Sequence, residues 1–139
     1  MAEALLLDTH VWVWLQAGLR SSLKPSAIAA IDRAISEGVL FVSAISAWEV
    51  AMLESKGRLD LSTDCERWVN EALRMHGTQL ANLTTGIAVQ SNYLPGTFHA
   101  DPADRILVAT ARAYDMPLVT KDRRILAYAK HKYVRVIAA

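Results

Sequence analysis

Cysteine is almost absent from this chain of 139 residues: Cys65 stands alone. One thiol can neither close an internal disulfide nor build a zinc knuckle, which suits a reducing compartment and leaves the fold to its core. Proline (four) and glycine (six) are sparse, and no linker, low-complexity tract or internal repeat is visible. Long apolar runs are missing too. Nothing approaches the roughly 20 uninterrupted apolar residues of a membrane-spanning helix. The opening Met1-Ala2-Glu3-Ala4-Leu5-Leu6-Leu7-Asp8 carries an acid where a signal peptide needs a basic region. These absences lead to the expectation of a soluble, cytoplasmic protein with no membrane association. An excess of one charge is also lacking: 15 Lys+Arg face 14 Asp+Glu, a balance of +1. The molecule is not a broadly basic coat for nucleic acid, and any such role must be local. Finally, no G-x-S-x-G elbow or P-loop offers a protein nucleophile or a phosphate cradle.

What the chain does have is apolar content, 53% of residues against 21% charged, enough to exclude intrinsic disorder. The length fits one domain over residues 1–139. Short apolar runs alternate with helical segments, the pattern of an α/β fold with a mainly parallel sheet. Leu5 to Leu7, Val39 to Ser43, Pro117 to Thr120 and Val134 to Ile137 read as strands, and Gln79 to Leu83 as a weaker one. Continuous rather than alternating apolar character points to strands buried on both faces. Helices are expected from Pro25 to Gly38, Ser46 to Lys56 closed by Gly57, Thr63 to His76 closed by Gly77, and Asp122 to Lys130. Asp101-Pro102 supplies an N-cap and a first-position proline for a helix from Pro102 to Tyr114.

Four carboxylates occupy unusual places. Asp8 and Asp122 follow the strands ending at Leu7 and Thr120, at the carboxyl ends where open α/β sheets bind ligands. Each could equally serve as a helix N-cap. Glu49 shares the i, i+4 stripe of Ile45 and Leu53, and so points with the apolar face. The plain alternative is a capping box with Ser46, which requires the helix to begin there rather than at Ser43. Asp104 lies on the face of Leu107, Val108 and Ala111. The helix dipole favours a first-turn acid by only about 0.3–1 kcal/mol and does not explain an inward direction. Asp101 is assigned to the N-cap, with a supporting role behind the metal ligands open to it.

One pocket would account for all four acids. Clustered carboxylates raise one another's pKa unless divalent cations sit among them. Oxygen ligands suit Mg²⁺, with Mn²⁺ as a substitute, rather than Zn²⁺. The histidines, His10, His76, His99 and His131, show no metal-ligand spacing and are assigned to the surface or behind the ligands. An all-carboxylate Mg²⁺ site is the arrangement used for phosphodiester hydrolysis, in which one or two ions activate water. The charge distribution agrees. Residues 1–99 hold seven Lys+Arg and ten Asp+Glu, a balance of −3, whereas residues 100–139 hold eight and four, a balance of +4. Arg105 beside Asp104, and Lys121, Arg123 and Arg124 around Asp122, are candidates to hold substrate phosphates.

The segments Leu5-Leu6-Leu7-Asp8-Thr9-His10-Val11-Trp12, Ser43-Ala44-Ile45-Ser46-Ala47-Trp48-Glu49-Val50, His99-Ala100-Asp101-Pro102-Ala103-Asp104-Arg105-Ile106-Leu107-Val108-Ala109 and Leu118-Val119-Thr120-Lys121-Asp122 resemble the PIN-domain ribonucleases, in particular the VapC-type toxins of bacterial toxin–antitoxin modules. They run in family order over nearly the whole chain. The resemblance implies a three-layer α/β/α sandwich and a Mg²⁺-dependent endoribonuclease acting on RNA. Its site would be formed by Asp8, Glu49, Asp104 and Asp122, with the Thr120 hydroxyl near the last acid. It also implies a cognate antitoxin lying in the groove, and a homodimer. Between Asp101 and Asp104 as metal ligand, the apolar-face argument favours Asp104. Trp12 and Trp14 are candidates for the dimer or antitoxin contact. Two rival readings remain: a haloacid-dehalogenase-like phosphatase, whose motif wants an acid where His10 stands, and an inactive scaffold that only binds RNA or protein. A receiver domain would need paired acids at the first strand end, where Asp8 is alone.

Overall fold

Leu5–Leu7 forms the central strand β1, and its three side chains are almost wholly withdrawn from solvent. Leu5 and Leu7 enter one core and Leu6 the other, the two-residue period that puts successive strand side chains on opposite faces of a sheet. That double burial is why the run reads as continuously apolar.

The computed structural model describes all residues, 1–139. After β1 come α1 (Thr9–Gln16), a 3₁₀ turn (Arg20–Ser22), α2 (Pro25–Ser36), β2 (Leu40–Ser43), α3 (Ala44–Ser55), α4 (Cys65–Leu73) and β3 (Thr78–Ala81). Then follow α5 (Thr85–Gln90), α6 (Pro102–Tyr114), β4 (Leu118–Thr120), α7 (Arg123–Ala129) and β5 (Val136–Ala138). All neighbouring strands pair parallel, in the order β3-β2-β1-β4-β5. Residues from α1, α2 and α4 bury against one face, and residues from α5, α6 and α7 against the other, giving three layers. The order reverses between β1 and β4, so their crossovers leave in opposite directions and open a crevice beyond their carboxyl ends. A receiver domain has the strand order 2-1-3-4-5 instead. No helix is long and apolar enough to cross a membrane.

Two expectations need correction, and one helix was unexpected. Helix α3 starts at Ala44 rather than Ser46, because the buried Ser43 hydroxyl accepts from the Ile45 amide and serves as N-cap. Helix α4 ends at Leu73, so Gly77 does not close it. Gly77 instead turns the chain into β3 with φ +85°, and a Cβ there would lie 2.3 Å from the Ile35 carbonyl oxygen. Helix α5 was not expected at all. It is only six residues long, contains Gly86, and is capped by the Thr84 hydroxyl on the Ile87 amide.

Candidate active site

Asp8 leaves β1 at the switch point with 6% of its surface exposed. It stands at the N-cap position of α1, yet its side chain makes no capping bond. Its Oδ2 instead accepts from Thr120 Oγ1 at 2.5 Å, and the same hydroxyl accepts from the Asp122 amide at 2.9 Å. The N-cap alternative therefore fails for Asp8 and holds for Asp122. Asp122 Oδ1 accepts from the Arg124 and Ile125 amides at 2.9 and 3.0 Å, starting α7 beside β4. Its other oxygen has no hydrogen bond in the protein.

The other acids come from helices. With Ser43 as the cap, Glu49 sits mid-helix and has no capping box to serve. Ser46 is buried and bonded to Thr9 Oγ1 at 2.8 Å instead. Glu49 Oε1 is buried and has no hydrogen-bond partner, a costly state that a ligand would relieve. Asp104 enters from the first turn of α6, which is fixed by Pro102 and by Asp101 accepting the Asp104 amide at 3.0 Å. Asp104 Oδ2 meets His99 Nε2 at 2.7 Å, while Oδ1 takes no hydrogen bond. Asp8, Glu49, Asp101, Asp104 and Asp122 line one cleft of about 480 Å³, together with His10, Trp14, Met52 and Arg58.

Crowding shows in the acid strengths. Burial pushes the Asp8 carboxyl above the usual range and the charge of Asp122 adds to it, against relief from the Thr120 hydroxyl and His10. Glu49 is raised by burial first and then by the charges of Asp8 and Asp101, against relief from the nearby Thr9 hydroxyl and His10. Asp104 is pushed up to about 6, by burial first and then by Asp101, Asp8 and Asp122, although its bond to His99 works the other way. Acids that raise one another across a shared space are near neighbours. An orphaned carboxylate oxygen among them, in a set of hard oxygen donors, fits a divalent cation. Ligand atoms of His99, Asp101 and Asp104 also lie within 4.8 Å of one another.

The cationic candidates divide. Lys121 and Arg124 line the cleft, and the Lys121 ammonium lies 5.1 Å from the centre of the Trp14 ring. Arg123 is exposed outside it. Arg105 turns away: its Nε donates to Ser91 O at 2.8 Å, and its Nη1 to Phe98 O and His99 O, both at 3.0 Å. Arg105 is thus spent on the protein's own backbone, which corrects its assignment to substrate phosphates. Trp12 is also reassigned. It is fully buried and packs edge-on against Trp68 at 5.0 Å, so it faces no partner. Arg58 escaped sequence reasoning because it follows α3 in irregular chain, whereas His10 and His99, expected at the surface or behind the ligands, are found lining the cleft and bonded to Asp104 respectively.

A parallel sheet of this order, with carboxylates gathered at its switch point, defines a class of protein, and comparison identifies it. The PIN domain family matches residues 5–131, and the chain belongs to that family. Ribonuclease VapC22 of Mycobacterium tuberculosis is 36% identical over 131 residues, covering 94% of this chain and 96% of that protein. The same fold recurs in VapBC2 from Rickettsia felis bound to a DNA fragment from their promoter. That structure has a TM-score of 0.68 at 13% identity, covering 96% of this chain and 97% of that one. DNA-bound VapBC from Salmonella typhimurium gives a TM-score of 0.65 at 17% identity, covering 99% and 98%. Membership sets aside the phosphatase reading, whose required second acid is here the exposed His10.

Proposed function

We propose that this protein is a metal-dependent endoribonuclease and the toxin of a toxin–antitoxin pair, with Mg²⁺ or Mn²⁺ as its ion. The observation that carries this reading is the convergence of Asp8, Glu49, Asp104 and Asp122 on one cleft, with Glu49 Oε1 buried and unpartnered. A divalent cation held by these oxygens supplies charge neutralisation and Lewis-acid activation of water and phosphate. Asp8, Glu49, Asp104 and Asp122 would hold it, all four lining the cleft. Thr120 fixes the Asp8 carboxylate by donating to Oδ2. Lys121, Arg124 and Arg58 edge the cleft and would hold the flanking phosphates of an RNA strand. In the hydrolysis, water adds at phosphorus, one ester P–O bond breaks, and the departing oxygen takes up a proton.

The likeness to VapC22 and to VapBC complexes supports an antitoxin as protein partner, and the homodimer is proposed on the family resemblance. The test is direct. Purified protein cleaves single-stranded RNA with Mg²⁺ or Mn²⁺, stops with chelator, and resumes when the ion is restored. Absence of cleavage across a panel of RNAs, with both ions, overturns the reading.

A further inference from the structure

The middle of the segment between α5 and α6 takes no part in backbone pairing. From Leu94 to Ala100 no amide or carbonyl pairs with another backbone group. Side chains hold its carbonyls instead. Tyr128 Oη donates to Pro95 O at 2.5 Å, and Arg105 donates to Phe98 O and His99 O at 3.0 Å and, at the start of the segment, to Ser91 O at 2.8 Å. A guanidinium presents its donors in a rigid planar fork, so one side chain can tie both ends of the loop to α6. Lysine, a point charge with a flexible stem, has no such fork.

The loop carries one chemically active group to the cleft. The His99 side chain, 16% exposed, places Nε2 at 2.7 Å from Asp104 Oδ2. Its ring leans on Phe98 at 4.2 Å, and Phe98 rests on Tyr128 at 4.8 Å. Nδ1 is buried without a partner, so the ring's single polar engagement is with the acid. An ionised carboxylate only accepts, so Nε2 carries the proton in this contact. The terminal torsion of an aspartate is otherwise broad.

We propose that Arg105 is a positioning residue: by clamping the Ser91–His99 loop to α6 it delivers His99 Nε2–H to Asp104 Oδ2, and so presents Asp104 Oδ1 to the cation. This rests on the metal-site reading above and deepens it. Carboxylates that ligate metals are themselves hydrogen-bonded, and loss of such a supporting partner costs 10–100-fold in metal affinity.

The experiment measures Mn²⁺ affinity by calorimetry, and KM and kcat for RNA at saturating Mn²⁺. It compares the wild type with Arg105→Ala, Arg105→Lys, His99→Ala, His99→Gln and the Arg105→Ala/His99→Ala pair. Arg105→Ala, Arg105→Lys and His99→Ala each weaken Mn²⁺ binding by roughly 10–100-fold with KM unchanged. His99→Gln, which keeps an N–H donor, recovers most of the affinity, and the double variant is no worse than either single one. Should Arg105→Ala fail to fold, the contrast between His99→Ala and His99→Gln still decides. Unchanged Mn²⁺ affinity in Arg105→Ala, or a raised KM in its place, overturns the proposal. So does a His99→Gln variant no better than His99→Ala, which marks His99 as a direct nitrogen ligand. Normal Mn²⁺ binding without any RNA cleavage fails the ribonuclease reading alone. Cleavage with flat affinities across the series fails the positioning inference alone.

Discussion

Thr120 donates its hydroxyl proton to Asp8 and accepts the amide of Asp122, so one side chain ties the end of β1 to the end of β4 across 112 positions of sequence. Thr120→Val keeps the shape and deletes both bonds. It leaves a buried carboxylate and a backbone amide without their partner, at a cost of about 1–3 kcal/mol. Chemical denaturation is expected to show that loss together with reduced cleavage, and Thr120→Ser is expected to recover both. A Thr120→Val protein with wild-type stability and activity would remove the hydroxyl from the site.

Asp104→Asn separates folding from chemistry. The folded protein holds the Asp104 carboxyl up at about 6 through burial and neighbouring charge, so a neutral isostere relieves an unfavourable buried charge in the apoprotein at neutral pH. The melting temperature without metal at pH 7.5 is expected to equal or exceed that of the wild type. Cleavage falls by at least about a hundredfold, the scale of losing one essential charge-stabilising group. Full cleavage by this variant would sink the assigned site.

Asp8, Glu49 and Asp104 are all raised, which inverts the usual acid behaviour. An acid whose pKa is higher folded than unfolded binds its proton more tightly in the fold. Its contribution is therefore present at low pH and declines as pH rises from its ordinary value of 3.8 through about 6 for Asp104. Metal-free protein is expected to lose stability from these groups over that window. Saturating Mn²⁺ restores it at pH 7.5, by about 2.7 kcal/mol at a hundred times Kd, and restores less at pH 5 where protons compete. Melting curves at both pH values, with and without Mn²⁺, check this, and equal Mn²⁺ effects at the two would contradict it.

Position relative to the cleft should decide which cations matter for RNA. Lys121→Ala and Arg124→Ala are expected to raise KM and to flatten the salt dependence of binding by about 0.7 each, the slope of one phosphate contact on a single strand. Arg123→Ala, outside the cleft, is expected to leave both unchanged. Identical salt slopes in all three variants would reject the phosphate-holding role.

Most of the sheet was legible in the sequence because strands buried on both faces are written as unbroken apolar runs. Leu5-Leu6-Leu7 and Leu118-Val119-Thr120 show it best. Strand β3 was faint because it lies at an edge, with Gln79 and Leu80 exposed. The acids were legible by direction, since Glu49 and Asp104 lie on stripes that point inward. Arg105 was misread because sequence adjacency to Asp104 says nothing of orientation: successive helix residues diverge by about a quarter turn, and its guanidinium meets the loop instead. His99 sits in irregular chain, where no periodicity marks a side chain's direction.

The strand order also carries a consequence in time. Because β4 lies beside β1, the cleft joins residues that follow β1, from Asp8 to Trp14, to Lys121, Asp122 and Arg124 after β4, with Glu49 and Asp104 from α3 and α6 between. Asp8 therefore cannot meet Thr120 until the chain has been made through β4. Until then the Asp8 carboxylate lacks its hydroxyl donor and the cleft lacks the wall that carries Lys121, Asp122 and Arg124.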